Sequence, residues 1–278
     1  MQNKSFGKNI IHGIGSRLGK MFNNPYGVVN INPVRRIYYK HLAPGKVRTH
    51  RLFGKNIDFL SSTELLHGLK EIFVDEIYKQ ELPAKPYIID CGANIGLSVI
   101  YMKRLFPDGE IIAFEPDEQN FKLLENNIRS FGYTDIVLKK EAVWVENTTM
   151  SFSGRGSTES KLISNSLDQT FPVKAVRLKD FINKKIDFLK IDIEGAEYNV
   201  LLDISENLHF VQNLFLEYHG NFKENYQLNE LLVILLNNGF DYYIKEATSV
   251  YRTPFYRSLN AGILYDIQLN IFCFRRNS

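Results

Sequence analysis

The sequence lacks several features that would each direct it to a particular class of protein. Its 278 residues include only Cys91 and Cys273 as cysteines, too few for a disulfide framework or a cysteine-rich metal site. No run approaches the roughly 18 apolar residues of a transmembrane helix, and the N-terminus lacks the pattern of a signal peptide. These absences favour a protein of the reducing cytoplasm.

Acidic residues are missing from the first 57 positions. Residues 1–57 contain eleven Lys and Arg and no Asp or Glu, so the rest of the chain carries about −8 (3 minus 11). We therefore predict a basic N-terminal extension, 1–57, and a second domain, 58–278. Such a segment is typical of contact with an anionic partner, such as the inner face of a membrane or a lipid-linked glycan. The alternative partner is the acidic remainder of the same chain.

Apolar residues recur at near-helical spacing in the first 22 residues, with Lys and Arg between them. This pattern indicates a basic amphipathic segment of the kind that lies on membrane surfaces. Four glycines within it weaken the prediction of a helix.

Strands and helices alternate from residue 87 onward. The patterns predict strands at 87–90, 110–114, 136–139, 186–191, 213–217, 240–245 and 267–274, and two short β segments within 142–153. They predict helices at about 95–106, from Pro116 to Gly132, at about 196–204 and at 228–236. This alternation predicts a doubly wound α/β sheet, in which ligands bind beyond the carboxyl ends of the strands.

Acidic residues follow five of the predicted strands. In chain order these residues are Asp90, Glu115, Glu141, Asp192 and Glu217, the last accompanied by His219. A single acid at such a position is often a helix N-cap. Five in succession indicate that this edge of the sheet carries the chemistry.

The turn after the first of these strands lacks the G-x-G-x-x-G of dinucleotide-binding proteins. Asn94 stands where the second glycine of that fingerprint would let the backbone approach a pyrophosphate, which disfavours a nicotinamide dehydrogenase. Gly92 and Gly96 permit a close approach to a ligand, and Asp90 suits an amino group or a sulfonium. Glu115, 19 residues after Gly96, suits the two hydroxyls of a ribose, although a helix-start acid is the alternative. A ribose and a cationic centre without phosphate indicate S-adenosylmethionine.

Three motifs carry a family resemblance: "DCGANIG" (90–96), "AFEP" (113–116) and "LKIDIEGAE" (189–197). In this order and spacing they resemble the FkbM family of S-adenosylmethionine-dependent methyltransferases, over roughly residues 60–245. The resemblance implies a Rossmann-like class I methyltransferase fold, with seven strands of which the last is antiparallel. It also implies methyl transfer to a hydroxyl of a sugar, a glycan or a natural product.

The resemblance also assigns the cofactor side of the site by position. Asp90, Gly92, Asn94 and Gly96 would surround the amino acid end of S-adenosylmethionine, and Glu115 would hold the ribose. Asp192 would lie next to the methyl group. The residues expected near the adenine are Glu141, Ala142 and Val143.

Methyl transfer to an alcohol needs a group that takes the hydroxyl proton. His219 is our first choice, since its ordinary pKa suits neutral pH, and Glu217 points to the same face of its strand. Asp192 is an alternative base or a group that orients the acceptor. Asp192 and Glu194 also offer hard oxygen ligands for Mg²⁺, although no spacing demands a metal. Glu197 is interpreted as a first-turn helix acid.

Two alternatives to this function stay open. One is a methyltransferase-like binding protein without activity, which the acids after five strands argue against. The other is a methyltransferase with a lipid, peptide or nucleic-acid acceptor. We find no N/D-P-P-Y/F tetrapeptide in the sequence, which disfavours methylation of nucleic-acid amino groups.

Overall fold

A computed structural model describes residues 24–153, 161–162, 170–257 and 264–276. The described chain forms two compact units that divide between Ile77 and Tyr78. Residue 57, where we predicted the domain boundary, lies inside a strand of the first unit. The predicted amphipathic segment at residues 1–22 lies outside the described residues.

The first unit is a small α/β structure for which we predicted no elements. It contains a 3-10 helix (Pro25–Val29), helix α1 (Pro33–Lys40), the hairpin β1 (Arg48–Leu52) and β2 (Lys55–Phe59), helix α2 (Ser62–Gly68) and a π-helical turn (Leu69–Val74). Leu52, Ile57 and Leu65 are fully buried in this unit. His50 is also buried, with Nε2 2.8 Å from the Val29 carbonyl oxygen, and its burial lowers the imidazole pKa.

The second unit is built around one large sheet. Its described strands are β3 (Tyr87–Cys91), β4 (Glu110–Phe114), β5 (Ile136–Lys139), β6 (Ala142–Trp144), β7 (Thr148–Ser153), β8 (Lys161–Leu162), β9 (Thr170–Arg177), β10 (Ile186–Ile191), β11 (Val211–Gly220), β12 (Phe240–Glu246) and β13 (Ile267–Arg275). The seven-stranded sheet has the order β12-β13-β11-β10-β3-β4-β5. β13 is antiparallel to both of its neighbours, and the other pairs are parallel. The predicted fold class, with the last strand antiparallel, is confirmed.

Four α-helices connect the strands of the second unit among its described residues. They are α3 (Leu97–Leu105), α4 (Glu118–Phe131), α5 (Glu197–Asp203) and α6 (Asn225–Asn237). The α4 helix begins two residues after Pro116, because the Asp117 side chain accepts the backbone N–H groups of Gln119 and Asn120 and caps it. No described helix is both apolar enough and long enough to span a membrane.

A smaller sheet of order β6-β9-β7-β8 was not predicted as a sheet. Its strand β9 contains Pro172, which ordinarily argues against a strand inside a sheet. The two short β segments predicted within 142–153 are confirmed as β6 and β7.

Strand β10 forms the centre of the large sheet and positions the site. All six of its residues are buried, as expected for a parallel strand covered on both faces. Its last residue, Ile191, pairs with Cys91 of β3 on one side and with Leu216 of β11 on the other. The chain continues from β3 to β4 on one side of β10 and from β10 to β11 on the other, so the strand order reverses here. Ligands of doubly wound sheets bind at such a switch point.

Candidate active site

The turn after β3 is held in a left-handed conformation at three positions. Gly92, Asn94 and Gly96 have φ values of 86°, 48° and 92°. A Cβ atom at Gly92 would lie 1.8 Å from the backbone oxygen of Asp192. Glycine is therefore required because the ends of β3 and β10 approach closely, and this approach brings Asp192 beside the turn.

Glu115 lies buried at the end of β4 and faces this turn. Its Oε2 accepts the backbone N–H of Asn94 at 2.8 Å, and its Oε1 accepts that of Asp117 at 2.9 Å. Burial raises the pKa of Glu115 to about 7. Each carboxylate oxygen can accept a second hydrogen bond, so the predicted contact with two ribose hydroxyls fits this geometry.

Asp90 has partners that the sequence did not indicate. Its Oδ2 accepts a hydrogen bond from the Ser98 hydroxyl at 2.5 Å, and its Oδ1 lies 3.4 Å from Lys190 Nζ. The buried ammonium of Lys190 on the adjacent strand thus balances the charge of Asp90. Among the described residues, Asp90 Oδ1 has no hydrogen-bond donor.

Lys190 is the main site residue that we did not predict. Its Nζ donates to the Gly92 carbonyl at 2.9 Å and to Asp192 Oδ2 at 3.1 Å. Burial by itself lowers the pKa of an amine, but the carboxylates of Asp192 and Asp90 raise the Lys190 pKa well above its usual value. Lys190 therefore stays charged and ties the β3 turn to Asp192. The available signal was a lysine near the end of a predicted strand whose only other polar residue is Asp187.

The residues around the turn fit the predicted cofactor. Asn94 Oδ1 and Asp90 Oδ1 are buried acceptors that lack a donor within the described part of the chain. The Glu115 carboxylate adds two further acceptors. S-adenosylmethionine brings the matching donors, namely an ammonium group and two ribose hydroxyls.

The three residues expected near the adenine lie at the start of the smaller sheet. Glu141 forms ion pairs with Lys174 and, at 3.5 Å, with Lys139. Ala142 and Val143 are buried within β6. Their contact with the adenine stays a prediction.

A second group of polar side chains surrounds the loop after β10. We call Asp192, Glu194, Glu197, Glu217 and His219 the carboxylate–imidazole cluster. Sequence analysis named all five residues, and the structure brings them together.

Glu197 organises the loop that leads into α5. It is fully buried, and its Oε1 accepts the backbone N–H groups of Ile193 and Gly195 at 3.0 Å each. Glu194 and Gly195 adopt φ values of 56° and 101°. The Tyr265 hydroxyl donates to the Glu194 carbonyl oxygen and lies 2.8 Å from the position of a Cβ atom at Gly195. Glu197 therefore fixes the conformation of this loop, in addition to being an acidic residue in the first turn of α5.

His219 lies in the middle of the cluster. Its Nδ1 is 3.2 Å from Glu197 Oε1, and its Nε2 is 3.6 Å from both Glu194 Oε2 and Glu217 Oε1. Burial lowers the His219 pKa, but the surrounding carboxylates, Glu197 first, raise it to about 10. Our expectation of an ordinary imidazole pKa was therefore wrong, because these carboxylates hold a proton on the ring. Burial raises the pKa of Glu194 to about 8.

Two halves of the site meet at Asp192. The Lys190 ion pair holds Asp192 against the β3 turn, and a ligand atom of Asp192 lies within 4.8 Å of ligand atoms of Glu194 and His219. Residues that fit a cofactor thus adjoin residues that can take a proton.

Asn270 is a further residue that sequence analysis missed. It lies on β13 directly opposite Glu217 of β11. It is fully buried, and neither Oδ1 nor Nδ2 has a hydrogen-bond partner among the residues that the structure describes. The signal was an amide between apolar residues in the last predicted strand.

Comparisons with known proteins identify methyltransferases as similar proteins. The family model described as the methyltransferase FkbM domain matches residues 90–242. Methyltransferase 1 of Beauveria bassiana is 28% identical over 182 residues, 55% of this chain and 72% of that protein. Methyltransferase sdnD of Sordaria araneosa is 28% identical over 197 residues, 57% of this chain and 76% of that protein. AMB antimetabolite synthetase AmbE of Pseudomonas aeruginosa is 28% identical over 61% of this chain, but only 10% of its own length is matched.

Solved structures are similar at lower identity. A crystal structure of methyltransferase FkbM from Methylobacillus flagellatus is 15% identical with a TM-score of 0.48, and the match covers 74% of this chain and 47% of that one. The structure of M. jannaschii TYW2 in complex with AdoMet is 13% identical with a TM-score of 0.43, and the match covers 84% and 90% of the two chains. Because the family model spans more than half of the sequence, this chain belongs to the FkbM methyltransferase domain family.

Proposed function

We propose that this protein transfers a methyl group to a hydroxyl oxygen of a sugar, a glycan or a natural product. The enzyme class and the cofactor follow from the family: it is a methyltransferase that uses S-adenosylmethionine. The observation that supports an oxygen acceptor is the position of the carboxylate–imidazole cluster, which adjoins the residues of the cofactor side of the site at Asp192.

Three residues near the ends of β3 and β4 would hold the cofactor. Asp90 and Asn94 offer buried acceptors for its ammonium group, and Glu115 offers both carboxylate oxygens for its ribose. Bound S-adenosylmethionine supplies a methyl group whose C–S bond breaks as the acceptor's C–O bond forms, and the electron pair leaves with sulfur.

The cluster supplies what an alcohol acceptor needs and an amine does not. A neutral amine already carries a free electron pair, whereas an alcohol attacks efficiently only as its proton is removed. Asp192 and Glu217 lie where the proton can be taken, whereas His219, with a pKa of about 10, already carries its proton at neutral pH. Lys190 occupies Asp192 Oδ2, so the other oxygen of Asp192 stays available. We therefore propose that a carboxylate of this cluster takes the proton of the acceptor hydroxyl.

The class of acceptor is supported by two further observations. One similar protein is named as an antimetabolite synthetase, which favours a natural product. Arg35, Arg36 and Lys40 of the first unit are exposed, which favours peripheral contact with an anionic membrane or a lipid-linked glycan.

The test uses S-adenosylmethionine with a deuterated methyl group and matched pairs of acceptors that differ only in hydroxyl or amino groups. Mass spectrometry detects transfer, and NMR identifies the atom that carries the methyl group. We expect methyl ethers. We also expect Asp192→Asn, Glu217→Gln and His219→Gln to lower kcat, and in the last two variants cofactor affinity should change little. N-methyl or C-methyl products would overturn the proposal, and cofactor binding without transfer to any acceptor would favour a binding protein.

A surface carboxylate provides the matched control. Glu110 lies at the amino end of β4, opposite the site, and pairs with Lys184 at 3.2 Å on the surface. Glu110→Gln removes one carboxylate charge, as Glu217→Gln does, and should leave kcat unchanged. A similar loss in both variants would mean that Glu217 acts only through general electrostatics.

A further inference from the structure

Three side chains of the cluster direct ligand atoms toward one another. The ligand atoms of Asp192, Glu194 and His219 lie within 4.8 Å of one another, and His219 Nε2 is 3.6 Å from Glu194 Oε2. A cation about 2.1 Å from each ligand holds neighbouring ligands about 3.0 Å apart and opposite ligands about 4.2 Å apart. The observed spacing therefore needs only a small contraction to close around an ion.

The orientation of His219 is the one that metal-binding histidines adopt. Glu197, which is not one of the three ligands, is fully buried and lies 3.2 Å from His219 Nδ1. Metal-binding histidines almost always donate the N–H of their second ring nitrogen to such a carboxylate. The ring is thereby fixed with Nε2 toward Glu194 and Glu217.

Asn270 independently indicates that a polar ligand binds here. It lies opposite Glu217, and the side chains of such a pair project from the same face of the sheet. A buried amide without partners is unfavourable, and among the described residues Asn270 has none. Water molecules carried by a hydrated cation, or a hydroxyl beside it, would supply the missing hydrogen bonds.

The local charge also favours a cation. Among the described residues, five carboxyl groups, those of Asp90 and of the four acids of the cluster, surround Lys190 and the imidazole of His219. A cation bound at Nε2 of His219 would displace the proton there. Carboxylate oxygens favour Mg²⁺ and Mn²⁺, and an imidazole ligand is better suited to Mn²⁺.

We propose that Asp192, Glu194 and His219 form a binding site for a divalent cation, Mg²⁺ or Mn²⁺, with Glu197 as the positioning carboxylate. The role of this cation in catalysis rests on the proposed function. A hydroxyl next to a divalent cation loses its proton more readily, and Glu217, which is not among the three ligands, can receive that proton.

The test is a titration of the metal-free full-length protein with Mn²⁺, followed by the EPR signal of free Mn²⁺, without cofactor or acceptor. We expect one Mn²⁺ per chain, displaced by Mg²⁺. Asp192→Asn, Glu194→Gln and His219→Gln should each weaken binding at least about tenfold, and Glu197→Gln by about 10- to 100-fold. The surface variant Glu110→Gln should bind Mn²⁺ as the wild type does.

Two further measurements keep the test decisive if a variant folds poorly. Spin-echo spectroscopy of the wild-type protein should detect the nitrogen of His219 coupled to Mn²⁺, and its absence would overturn the site. Titration of the same samples with S-adenosylmethionine separates the two proposals. Cofactor binding without Mn²⁺ binding overturns the cation site alone, whereas a wild-type protein that binds no cofactor overturns the proposed function.

Discussion

Replacement of Lys190 by methionine should destabilise the protein strongly. Lys190 Nζ lies 2.9 Å from the Gly92 carbonyl oxygen, 3.1 Å from Asp192 Oδ2 and 3.4 Å from Asp90 Oδ1. Methionine keeps the unbranched apolar stem of the side chain but leaves the Asp90 carboxylate, which is only 3% exposed, without its cation. Loss of one partner of a buried ion pair costs about 3–5 kcal/mol. Urea unfolding at neutral pH should show a loss of this size in the free energy of unfolding.

Two controls test the reasoning behind this magnitude. Lys122→Met removes a surface lysine of α4 that is 67% exposed and pairs at 2.8 Å with Glu118, which is 47% exposed, and it should cost no more than about 1 kcal/mol. Adding Asp90→Asn to Lys190→Met removes the unpaired charge and should restore part of the stability. If Lys190→Met costs less than about 1 kcal/mol, or if Asp90→Asn makes it worse, the buried ion pair does not hold the two strand ends together.

Three further predictions concern the cofactor side and the basic segment. Affinity for S-adenosylmethionine should fall as pH drops below about 7, the pKa of Glu115, because a protonated carboxyl group has fewer hydrogen-bond acceptors. Calorimetry should show an affinity that falls by at most about tenfold per pH unit. In Glu115→Gln this pH dependence should be much weaker. Because this pKa is raised in the folded state, the same group stabilises the fold at low pH, and that contribution is lost as pH rises through about 7. Gly92→Ala should abolish cofactor binding, since its Cβ would meet the Asp192 backbone. Gly132→Ala, with φ 80° but open space around it, should cost only about 1–2 kcal/mol and retain binding. Removal of residues 1–23, which takes away four of the eleven basic residues of 1–57, should weaken co-sedimentation with anionic vesicles; equal sedimentation would exclude this segment as the contact.

The elements of the large sheet were predictable because their signals are local. β10 is a six-residue apolar run interrupted only by Asp187 and Lys190, and Gly132 ends α4 with a left-handed φ of 80°. Parallel strands buried on both faces produce such runs whatever surrounds them. By contrast, β9 escaped prediction because Pro172 interrupts its pattern, and its pairing with β7 depends on distant residues.

The site was predictable as a set of residues but not as a set of charge states. The acids after the strands could be identified because the carboxyl ends of parallel strands meet at one edge. The pKa of His219 could not be predicted, since it depends on Glu197 and Glu194, which precede it by more than 20 residues. Lys190 was missed for the same reason: its charge is stable only through Asp90, 100 residues earlier, and Asp192.

Calorimetric titration of the full-length protein with S-adenosylmethionine and, separately, with NAD tests the central claim most directly. We predict one binding site for S-adenosylmethionine and no heat with NAD. Glu115→Gln should bind S-adenosylmethionine at least about tenfold more weakly, because it lacks the carboxylate charge that strengthens the hydrogen bonds to the ribose. Binding of NAD alone, or equal affinity for S-adenosylmethionine in the wild type and in Glu115→Gln, would contradict it.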